Sequence, residues 1–99
     1  MDAVFTFETE DGVVKVYILR SEIAKFAVAT FETANEKAAY GVHLLNTPSL
    51  FDALSLIEKA AKEWPQEKED NPFNKLMSNR EAIEKLYRAL RGEKSEHSR

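Results

Sequence analysis

His43, set in the apolar run AAYGVHLL, is the residue whose chemistry needs deciding first. A neutral imidazole can act as a base or bind a metal, but either task needs a second group to orient it or to complete a ligand set. His97 is the other histidine, and it lies in the polar stretch EKSEHSR. In a strand, Gly41, His43 and Leu45 share one face, and the carboxylates that could serve the imidazole belong to strands whose register the sequence leaves open. The plainer reading, a structural or surface histidine, is the one taken.

The turn Glu8-Thr9-Glu10-Asp11-Gly12 gathers carboxylates, which hard divalent cations favour. It lacks the alternating acid order and the distal glutamate of a calcium loop, and a tight turn calls for Asp and Gly on geometric grounds alone. The run Glu67-Lys68-Glu69-Asp70 reads in the same way as a solvated loop. With no cysteine, there is no thiolate nucleophile, no disulfide and no sulfur-ligated metal. The glycines, Gly12, Gly41 and Gly92, form no phosphate-cradling loop. Ser21, Ser49 and Ser78 sit at starts of helices or turns rather than in a nucleophile elbow. Neither a catalytic nor a metal or cofactor set is expected, and the chain reads as a non-enzyme.

One helix carries a directional charge. Residues 1–79 hold eight Lys/Arg against thirteen Asp/Glu, whereas residues 80–99 hold six against four. Arg80, Lys85, Arg88 and Arg91 could therefore meet nucleic-acid phosphates. Glu81 and Glu84 stand four residues before Lys85 and Arg88, the favourable order for intrahelical pairs, so a solvated helix is the preferred reading.

The elements that must position these residues are legible from periodicity. AVFTFET and VVKVYILR alternate with period two around the turn at Gly12, which is expected to supply a positive φ, and they predict a hairpin. Val14, Val16 and Ile18 fall on its inner face, and Lys15, Tyr17 and Leu19 on its outer face. Residues 21–34 are ambiguous. As a helix, Ser21 caps and Ile23, Phe26, Ala27, Phe31 and Ala34 form a stripe; as a strand, FAVATFE has the right β-branched and aromatic content. The strand is preferred, and with AAYGVHLL it completes a four-stranded antiparallel meander.

A helix follows, capped by Thr47 or Ser49, with Pro48 placed where its missing N–H costs nothing. Its expected apolar face is Leu50, Phe51, Leu54, Ile57, Ala61 and Trp64. Pro65 ends it, QEKEDNP reads as a connector, and FNKLM as a short helical turn. A last helix is expected to begin at Ser78 or Asn79, where Ser78-Asn79-Arg80-Glu81 matches a capping box, with the stripe Ile83, Leu86, Tyr87 and Leu90.

The fold class predicted is α+β, with both amphipathic helices on one face of the sheet. Residues 1–91 are expected to form one domain, and 92–99 a disordered tail. With no basic leader and no apolar run near the ~18 residues of a membrane span, a soluble cytoplasmic chain without a membrane partner is expected. Scarce glutamine and a Lys/Glu-rich charge set suit a heat-tolerant source. The outer sheet face, with Lys15, Tyr17, Leu19, His43 and Leu45, is the expected protein interface. A self-associating interaction module, a homodimer, is thus the first functional expectation, and a small nucleic-acid-binding regulator the alternative.

Overall fold

The structure is a computed structural model, and it describes residues 2–22, 24–33, 37–44, 48–65 and 70–92, apart from the side chains of Lys37 and His43. Four strands, β1 (Phe5–Glu8), β2 (Val13–Arg20), β3 (Lys25–Glu32) and β4 (Lys37–Leu44), pair in sequence order, each antiparallel to the next. Three helices follow: α1 (Leu50–Glu63), α2 (Pro72–Met77) and α3 (Arg80–Leu90). Within the ambiguous segment, Lys25–Glu32 is therefore a strand. Its alternation explains why, since Ala27, Ala29 and Phe31 are buried together while Phe26 projects from the other face.

The β1–β2 hairpin forms where expected but by a different device. Gly12 does not have a positive φ; among the described residues only Asp70, at 58°, and Gly92, at 86°, do. Thr9 closes the turn instead, its N–H donating to the Gly12 carbonyl at 2.8 Å and its Oγ1 accepting from the Asp11 and Gly12 N–H groups at 3.2 Å each. Gly12 is needed because a Cβ there would lie 2.3 Å from the Glu32 carbonyl oxygen. Ser21, too, closes a turn rather than capping a helix. Its N–H donates to the Ala24 carbonyl at 2.8 Å, and its Oγ accepts from the Ala24 N–H at 3.1 Å.

Val14, Val16, Ala27, Ala29 and Phe31 line the inner face of the sheet, and the helices pack onto it. Ser49 caps α1 through a reciprocal pair with Asp52: the hydroxyl accepts the Asp52 N–H at 3.3 Å and the carboxylate accepts the Ser49 N–H at 2.7 Å. Pro48 stands before the cap and is buried. The buried face of α1 differs from the expected one. Ala53, Leu56, Ile57, Ala60 and Trp64 are buried, whereas Leu50, Phe51 and Leu54 are exposed. Counting apolar residues misleads here, because the wholly buried face combines Leu56 and Ile57 with the small Ala53 and Ala60, and Leu50, Phe51 and Leu54 lie to one side of it. Leu54→Ala is accordingly expected to cost about 1 kcal/mol or less. Urea titration checks this, and a loss of several kcal/mol would return Leu54 to the core.

Asp70 in the left-handed region and Asn71 at the cap start α2. The Asn71 Oδ1 accepts from the Phe73 N–H at 3.0 Å, and its Nδ2 donates to the Ala61 carbonyl at 2.9 Å, which ties α2 to the end of α1. Of the two expected starts, Asn79 caps α3 by accepting the Ala82 N–H at 3.0 Å. Ser78 closes α2, its hydroxyl donating to the Asn74 carbonyl at 3.0 Å. The stripe of α3 is close to the predicted one, with Ile83, Leu86 and Leu90 buried, Tyr87 partly buried and Ala82 added.

Candidate functional site

Strand register places the outer face of the sheet residue by residue. Four rows run across the strands: Glu8, Val13, Glu32 and Lys37; Thr6, Lys15, Thr30 and Ala39; Tyr17, Val28 and Gly41; Leu19, Phe26 and His43. Among the described residues no helix covers this face, since α1 packs on β3 and β4 and α3 on β1 from the inner side. Val4 precedes β1, and its N–H donates to the Val16 carbonyl at 2.8 Å.

Polarity changes along the strands. The first two rows hold Glu8, Glu32 and Lys15, with the Lys15 ammonium 3.9 Å from the Glu32 carboxylate. The last two are apolar at every described side chain. Leu19 and Phe26 are 38 and 40 % exposed, and Tyr17 and Val28 are half-buried beside them. Residues of this size stand open together here rather than singly. The charges beside it are of both signs, so the face presents no field that would collect a polyanion.

Of the residues expected to form an interface, Lys15, Tyr17 and Leu19 share this face. His43 stands opposite Phe26 in the register, but its side chain, like the whole of Leu45, lies outside the described residues. Phe26 and Val28 were missed. The signal was present in KFAVATFE, where turning Ala27, Ala29 and Phe31 inward forces Phe26 and Val28 outward, but it could be used only after the helix alternative was discarded.

The other candidate groups separate. Arg80, Lys85, Arg88 and Arg91 are all exposed on one side of α3, with Glu81 and Glu84 exposed among them. Arg91 turns back on its own helix, donating to the Tyr87 hydroxyl at 3.0 Å with its guanidinium 5.3 Å from that ring's centroid. Glu10 and Asp11 form the hairpin turn, and among the described residues no three His, Cys, Asp or Glu groups stand where they could hold a metal ion. An open dent of about 240 Å³ on α1 is lined by Ser55, Glu58, Lys59, Lys62 and Glu63, neighbours on one helix surface with no convergent polar geometry. Among the described residues no helix is long and apolar enough to cross a membrane.

No family model matches the chain. No curated protein and no solved structure matches it either.

Proposed function

We propose that this chain is a non-catalytic protein-interaction module that self-associates as a homodimer through the open face of its sheet. The observation that carries this reading is the group Tyr17, Leu19, Phe26 and Val28 on a face that none of the described helices covers. Apolar rows at one end and charged rows at the other reproduce the core and rim of a protein interface. A two-fold axis through the apolar rows would bring each patch onto its own copy, with Tyr17 near the axis and the Lys15–Glu32 rows at the margin. An aromatic ring with a polar tip suits that position, because it buries a large area and keeps a hydrogen-bonding group.

Light scattering over a micromolar concentration series tests the reading. Wild type is expected at twice the monomer mass, and Tyr17→Glu at the monomer mass with its far-ultraviolet dichroism unchanged. A wild-type monomer throughout the series would remove the homodimer. The alternative, nucleic-acid binding by Arg80, Lys85, Arg88 and Arg91, is weakened by the two carboxylates on the same side of α3. Micromolar affinity for duplex with a steep salt slope, lost in Arg88→Glu and Arg91→Glu, would reverse the order of the two.

A further inference from the structure

The sheet has two edges of unequal length, β1 with four residues and β4 with eight. Hydrogen-bonding direction alternates along antiparallel strands, and the Thr9–Gly12 bond sets the phase. Val14 and Val16 bond towards β1; Lys15, Tyr17 and Leu19 towards β3; Ala27, Ala29 and Phe31 towards β4. The peptide groups of Ala39 and Gly41 consequently point away from the sheet. Long edges of this kind recruit other strands unless a charge, a proline or a bulge blocks them. Lys37 stands at the first position of β4, and the described side chains beyond it, Ala38, Ala39, Tyr40, Val42 and Leu44, include neither a proline nor a charge.

The block comes from the helix layer. Lys59, on the exposed side of α1, donates from Nζ to the Gly41 carbonyl at 2.7 Å. That carbonyl is an outward acceptor in the middle of the edge. We infer that Lys59 guards the β4 edge against antiparallel addition of β4 from a second copy of this chain. Its ammonium occupies an acceptor that an added strand needs, and it sets a hydrated charge beside the backbone. An antiparallel pairing centred near Gly41 would also bring the two Lys59 ammonium groups together, which like-charge repulsion opposes. The inference is independent of the face-to-face dimer, and it leaves the open face as the route by which copies meet without extending the sheet.

The test compares Lys59→Met, which keeps the apolar stem and loses the charge, with Lys59→Arg, which keeps both reach and charge. Both are made in wild type and in Tyr17→Glu, so that the outcome is separate from that of the face dimer. Lys59→Met is expected to double the mass of its parent as concentration rises. It is also expected to slow amide exchange at Ala39 and Gly41 at least tenfold, while Lys59→Arg behaves as the parent. Adding Ala39→Pro removes an outward N–H that the sheet does not use, and is expected to restore the parent mass. Unchanged mass and exchange in Lys59→Met would overturn the inference, as would an added mass that Ala39→Pro leaves in place.

Discussion

Phe73→Ala is expected to lower the unfolding free energy by about 3–5 kcal/mol. Phe73 is fully buried, and its ring meets three others edge to face, with centroids 6.3 Å from Phe31, 5.6 Å from Tyr40 and 5.9 Å from Trp64. Those partners come from β3, β4 and the end of α1, so one ring from α2 joins the sheet to the helix layer. Six residues are too few for a helix to be stable by itself, and α2 is held by Phe73, Leu76 and the Asn71 cap. Truncating the ring leaves a cavity that neighbours on three separate elements cannot jointly close. Denaturant titration followed by the fluorescence of Trp64, the single tryptophan, reads the loss at the site itself. A cost below about 1 kcal/mol would mean that α2 is not docked.

How far the sequence could be read depended on whether one face of an element dominated. In β2 the alternation of Val14, Val16 and Ile18 with Lys15, Tyr17 and Leu19 has a single solution, and the structure has that solution. In α1 two apolar flanks competed. Leu50, Phe51 and Leu54 outweigh Ala53 and Ala60 in hydrophobicity, yet the alanines are wholly buried and Phe51 is 75 % exposed. Ala27 and Ala29 are wholly buried on the sheet as well. Small residues on both layers let backbones approach closely, and packing of that kind selects for volume, which a count of apolar residues does not register.

The candidate surface divides in the same way. Tyr17 and Leu19 follow from alternation within one strand, whereas Phe26 and Val28 depend on first knowing that residues 25–32 are a strand. Lys59 was beyond reach, because its role depends on a contact 18 residues away in sequence between a helix surface and an edge carbonyl. Charge on an exposed helix position carries no sign of such a partner.

Gly12→Ala sets two effects of opposite sign against each other. Replacing glycine restricts the unfolded chain and, where the native backbone tolerates it, stabilises by about 0.4–1 kcal/mol. Gly12 has no positive φ, so backbone conformation alone predicts that gain. Space predicts the reverse. The added Cβ would lie 2.3 Å from the Glu32 carbonyl oxygen, 2.9 Å from the Phe31 ring and 3.1 Å from the Glu32 carbonyl carbon. Two of these atoms are backbone at the end of β3, where Glu32 is paired with both Val13 and Lys37, so they cannot swing aside as a flexible side chain would. The turn must lift instead, loosening the cover over Phe31, and overpacking of this kind costs about 1–3 kcal/mol or more. The clash is the larger effect, and a net loss of about 2 kcal/mol is expected. In a chain of this size that is a fall of about 10 °C in the melting temperature. Gly41→Ala is the matched control: its Cβ would meet the Ala27 carbonyl oxygen and the Val28 side chain at 3.5 Å, ordinary contact distances, so its melting temperature is expected to hold or rise. Equal behaviour of the two variants would show that the hairpin turn does not rest on β3.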